Sequence, residues 1–244
     1  MKIIRDIPYC EPYHAEELDL YLPDAEIESV FVYFHGGGLS HGDKKSAQRF
    51  ASYLTERKIA VVSANYRMYP NAKYPDFIYD AAAAVKWTKE NLMESVKSGK
   101  IFVGGSSAGG YLSMMLCFDK KYLESVGLSN SDIAGYFHDA GQPTAHFRVL
   151  VERGIDDRRI IVDETAPIYF VGESASYPKM RFIVSDNDMQ NRYEQTMLML
   201  STLKHFQYAD FDCVVMSGKH CEYCGKIGED GESVFGKMIY DFVK

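Results

Sequence analysis

Apolar positions along the chain fall into two rhythms. Leu18-Asp19-Leu20-Tyr21-Leu22 alternates apolar with polar, as a half-exposed strand does, and Pro23-Asp24 ends it. Met1 to Ile7 is expected to pair with it. Val30-Phe31-Val32-Tyr33-Phe34 is apolar throughout, the mark of a strand covered on both faces in a parallel sheet. Ile59 to Ala64 and Ile101-Phe102-Val103 repeat that pattern. Helical periodicity lies between these runs. Gln48 to Lys58 puts Phe50, Tyr53 and Leu54 on one face, and Phe77 to Asn91 is expected to bury Val85, Trp87 and Leu92. Tyr111 to Leu116 is apolar and helix-like. Strand and helix alternate, which predicts a parallel sheet with right-handed crossovers. Further on, Ile133 to Phe137, Met180 to Ser185 and Phe211 to Met216 read as strands, and Tyr193 to Phe206 as a helix. His138 to Ile161 reads as an insertion that forms a small lid, with Phe147, Val149, Leu150 and Val151 on one helix. Tyr69, Phe147 and His138 are candidates for the pocket wall beneath it.

The chain has 244 residues, a length that suits one α/β domain spanning 1–244. Its net charge of −7 argues against nucleic acid or an anionic membrane surface as a partner. No apolar run reaches the roughly 18 residues of a membrane span. The first residues do not read as a signal peptide. With the five scattered cysteines, this points to reduced thiols in a cytoplasmic protein.

Two glycine-rich stretches carry the chemistry. Gly104-Gly105-Ser106-Ser107-Ala108-Gly109-Gly110 stands between an apolar strand and an apolar helix, and Gly105-x-Ser107-x-Gly109 fits a strained strand-to-helix turn that exposes a nucleophilic serine. A phosphate loop would end in Gly-Lys-Ser/Thr, whereas Gly110 leads to Tyr111. His35-Gly36-Gly37-Gly38 follows the central strand Val30 to Phe34. Three consecutive glycines let the backbone approach a ligand closely and turn its N–H groups toward an oxyanion. His35 reads as an anchor of that loop and His41 as a loop residue near the mouth.

These residues, together with Asn65-Tyr66-Arg67, Tyr74-Pro75, Asp80 and Trp87, resemble the hormone-sensitive-lipase-like esterases of the α/β-hydrolase superfamily. The resemblance runs continuously through the first half of the chain and covers only two loops of the second. Ser106 departs from it, since many relatives carry an acidic residue there, and the short N-terminus leaves no room for the usual helical cap. The resemblance implies an α/β-hydrolase fold of about eight mostly parallel strands, with helices on both faces. It also implies ester hydrolysis by Ser107, with an acid and a histidine following in that order. Asp186 and Asp188 both follow the strand Met180 to Ser185. In similar enzymes the acid lies about three residues beyond the strand's last small residue, which favours Asp188 over Asp186. Of the two histidines beyond the aspartates, His205 falls inside a helix, so His220 is the expected base. Backbone N–H groups of Gly37, Gly38 and Ala108 are the expected oxyanion donors.

His220-Cys221-Glu222-Tyr223-Cys224 also holds a Cys-x-x-Cys. Zinc usually takes three or four ligands, no second pair exists, and Cys213 falls in a strand, so no metal or other cofactor is expected. The expected substrate is a small acyl ester, acetyl-like in size. An amide-cleaving relative (arylformamidase- or peptidase-like) and a silent binding protein on the same scaffold are the alternatives. Leu39 argues against the arylformamidase type, which resembles His-Gly-Gly-x-Trp there. A homodimer through the last edge strand or helix rests on the resemblance alone.

Overall fold

The computed structural model describes residues 1–10 and 16–244. Its centre is an eight-stranded sheet in the order β1-β2-β4-β3-β5-β6-β7-β8. The strands are β1 (Lys2–Pro8), β2 (Glu17–Leu22), β3 (Ser29–Phe34), β4 (Ile59–Ala64), β5 (Ile101–Ser106), β6 (Gly135–Asp139), β7 (Lys179–Asn187) and β8 (Phe211–Lys219). β2 runs antiparallel to β1 and β4, and β3 to β8 are mutually parallel. The long helices are α1 (Gln48–Glu56), α2 (Asp76–Leu92), α3 (Ala108–Phe118), α6 (Arg192–His205) and α7 (Val234–Val243); α4 (Lys121–Ser125) and α5 (Phe147–Glu152) are short.

The strands without alternation are the ones buried on both faces. In β3, Val30, Val32 and Phe34 join one apolar cluster with α2 and α3 residues, while Phe31 and Tyr33 join a second with α1 and α7 residues. The period-2 pleat sorts a uniformly apolar run into two cores. α3 is buried at all eleven positions, so a helix apolar on every side sits at the middle of the molecule. No helix among the described residues is long and apolar enough to cross a membrane.

The sequence expectations needed three corrections. β6 begins at Gly135 and continues through His138 and Asp139, so His138 is a strand residue rather than the start of an insertion. It is buried, it pairs through Nδ1 with Ser113 Oγ at 2.9 Å, and it does not line the pocket. Trp87 is half-buried and packs on the core edge. α7 covers the second cluster and was not foreseen from the sequence.

Candidate active site

In a parallel sheet the carboxyl ends of the strands share one edge, where binding sites gather. β5 ends there in Ser106, followed by Ser107 with φ 56° and ψ −112°, a backbone geometry that costs a non-glycine residue energy. The turn is held from both sides: Ser107 N–H donates to the Asp139 carbonyl at 2.7 Å, and the Ser107 carbonyl accepts from Tyr111 N–H at 3.0 Å. Gly109 is needed because a Cβ there would lie 2.0 Å from the Phe34 carbonyl oxygen. The start of α3 thus touches the end of β3 backbone to backbone.

The loop after β3 passes directly over this turn. A Cβ on Gly36 would sit 3.2 Å from the Ser107 Cβ. His35 anchors the loop: it is buried, stacks on Tyr66 with ring centroids 4.5 Å apart, and holds the Gly36 carbonyl at 2.7 Å from Nδ1. Burial pushes its pKa down to about 4, which keeps it neutral. Gly37 has φ +126°, and a Cβ on it would fall 1.8 Å from the His41 carbonyl oxygen. Gly37→Ala is therefore expected to displace the loop and lower kcat/KM for an ester by about 10²–10³. Steady-state rates beside an unchanged circular-dichroism spectrum would check it.

The remaining partners come from the last two strands. His220 follows β8, with Nε2 2.8 Å from Ser107 Oγ and Nδ1 2.5 Å from Asp188 Oδ1. The Asp188 side chain is fully buried and also accepts from the N–H groups of Ser185 at 3.1 Å and Met189 at 2.7 Å. Burial would raise its pKa, but these donors and His220 hold it below the usual carboxylate value. Burial would lower the pKa of His220; Asp188 and the neighbouring Cys221 outweigh that and raise it to about 9. Asp186 is exposed and bonds Ser217 Oγ and Gly218 N–H, both at 2.9 Å. His205 ends α6, away from the cavity lining.

A cavity of about 750 Å³ opens over Ser107 and His220, and Gly37, Gly38, His41, Phe147 and Met189 are among its walls. Phe147 reaches it from the first turn of α5, whereas Tyr69 does not line it. Sequence reasoning missed Tyr33, Ser106 and Asp139 beside the nucleophile. Tyr33 OH donates to Ser106 Oγ at 3.1 Å, and Asp139 pairs in register with Ser106. Their position at strand ends on the site edge was the available signal.

Residues 31–136 match the model of a family described by its alpha/beta hydrolase fold. The chain has the α/β-hydrolase fold. The chain is 35% identical over 96 residues to esterase LipI of Mycobacterium tuberculosis, across 38% of this chain and 30% of that protein. It is 38% identical over 89 residues to carboxylesterase NlhH of the same species, across 36% of this chain and 28% of that protein. A gibberellin receptor of Arabidopsis thaliana shares 39% identity over 101 residues, across 38% of this chain and 29% of that protein. These matches span less than a third of each relative. Esterase B of Lactobacillus rhamnosus superposes with a TM-score of 0.79 at 16% identity, covering 99% of this chain and 85% of that chain. The chain therefore carries the α/β-hydrolase fold along its length, and residues 31–136 are similar to hormone-sensitive-lipase-like esterases.

Proposed function

We propose that the protein is a serine carboxylesterase for short acyl esters, working through an acyl-enzyme. The observation that carries this reading is the pair of hydrogen bonds at His220, which link Ser107 Oγ to the buried Asp188 carboxylate through one imidazole. Ser107 Oγ attacks the ester carbonyl as His220 Nε2 takes its proton. The same imidazolium then protonates the departing alcohol. Water repeats the cycle on the acyl-enzyme. In neutral His220, Asp188 holds the proton on Nδ1 and leaves Nε2 free to accept, and it stabilises the imidazolium; because the His220 pKa is raised to about 9, the neutral form, and with it turnover, grows as pH rises toward 9. The tetrahedral oxyanion is held by N–H groups of Gly37, Gly38 and Ala108. Ala108 opens α3, where the first N–H groups lack intrahelical partners and the dipole favours negative charge.

The acyl-length reading rests on Phe147. Its ring end would lie 3.0 Å from a Cβ on Gly38, so it stands against the oxyanion loop and narrows the space beside the carbonyl. Among p-nitrophenyl esters, acetate and butyrate are expected to exceed octanoate in kcat/KM by at least about tenfold, a difference of ~1.4 kcal/mol. Octanoate equal to acetate would overturn the short-acyl reading. A matched acetanilide turned over as fast as the ester would favour the amide-cleaving alternative. Free thiols at Cys117, Cys213, Cys221 and Cys224 suit a reducing compartment such as the cytoplasm.

A further inference from the structure

Behind His220 a second group of polar side chains meets, and the esterase chemistry uses none of them. Asp139 ends β6 with its carboxylate fully buried. No lysine, arginine or histidine among the described residues pairs with it. Its Oδ1 accepts from Tyr223 OH, and its Oδ2 lies 3.4 Å from Cys224 Sγ. Cys221 stands at the entry of the short turn Glu222–Gly225 with φ 53°, in the left-handed region. One ligand atom each from Asp139, Cys221 and Cys224 lies within 4.8 Å of the other two.

We propose that Asp139, Cys221 and Cys224 form a three-ligand site for a thiophilic divalent cation, Zn²⁺ in the first instance, open toward the cavity that holds Ser107. Buried charge is costly unless it is paired or coordinates a metal, and the donors to this carboxylate, a phenol and a thiol, are both neutral. Two thiolates and a carboxylate are a donor set that zinc favours. Tetrahedral zinc, with Zn–S near 2.3 Å and Zn–O near 2.0 Å, needs sulfur and oxygen roughly 3.5 Å apart. The Cys224–Asp139 separation of 3.4 Å already meets that need. Outer partners are in place as well: Tyr223 OH orients the carboxylate, and Ser106 Oγ lies 3.9 Å from Cys224 Sγ. Cys221, Cys224 and Ser106 all line the cavity, so the fourth position faces solvent or substrate rather than a fourth protein ligand. Three protein ligands and one open position mark an accessible zinc site, whereas closed structural sites have four. On binding, each thiol loses its proton to solvent, and no electrons are transferred.

The test uses the full chain, reduced with a phosphine and titrated with Co²⁺ as a visible stand-in for Zn²⁺. One equivalent is expected to bind with a thiolate-to-cobalt charge-transfer band that Zn²⁺ abolishes. Ser107→Ala should keep the band, which separates this site from the esterase reading. Cys224→Ser should lose about half of it, and Asp139→Asn should weaken binding at least tenfold. As a second readout, one equivalent of Zn²⁺ should protect Cys221 and Cys224 of the wild-type chain from iodoacetamide by mass spectrometry. That arm does not depend on the variants folding. Absence of the band, or alkylation unaffected by Zn²⁺, would overturn the proposal; a Cys221–Cys224 disulfide formed in place of metal binding would do the same.

Discussion

Ser107→Ala is expected to lower ester turnover by about 10⁶ and to abolish labelling by a fluorophosphonate probe. The size follows from how the residue is used. Removing one member of a unit that acts together costs nearly as much as removing all of it, and the slow remaining rate comes from oxyanion binding. Stability should barely change, because the substitution removes one half-buried hydroxyl and leaves the backbone bonds to Asp139 and Tyr111 intact. Thermal unfolding run beside the labelling separates lost chemistry from lost fold. A wild-type chain that resists the probe would point to the silent-scaffold alternative.

Asp188→Asn should come next, with kcat falling about 10⁴-fold, while Asp186→Asn stays near wild type. An amide at 188 can offer its N–H to Nδ1, which favours the tautomer with Nε2 protonated and unable to take the serine proton. Asp186 instead spends its oxygens on Ser217 and Gly218, on the outer side of the same turn. Its loss would loosen a surface loop. Steady-state kinetics of the two variants side by side would decide between the carboxylates. Equal losses, or a greater loss at 186, would reverse the assignment.

How much of this was legible without coordinates depends on what periodicity can detect. The central strands were readable because both faces of β3, β4 and β5 are covered, so their sequences are apolar without a break. β6 was cut short because it ends in His138 and Asp139, polar residues that are buried yet supplied with partners from Ser113, Tyr223 and Cys224. A hydrophobicity pattern cannot know that such partners will arrive from other elements. The two glycine motifs were readable because backbone crowding leaves almost no alternative residue at Gly109 or Gly37. The residues alone left both Asp186 and Asp188 open, because the choice depends on which way two side chains of one turn point, and only the resemblance favoured Asp188. The Asp139–Cys221–Cys224 group was hidden for a related reason: its third member lies 82 positions before Cys221, at the end of a strand separated from β8 by β7.

The sheet order places the proposed nucleophile and its two partners on ground of unequal firmness. Ser107 springs from β5, with paired strands on both sides and a wholly enclosed helix beneath. His220 hangs from β8, the outermost strand, whose backbone is bonded along one side and whose residues are at best half-covered. Outer strands open at lower free energy than central ones. Warming should therefore detach the imidazole while the bulk of the sheet still stands, and the catalyst would fall idle before the protein melts.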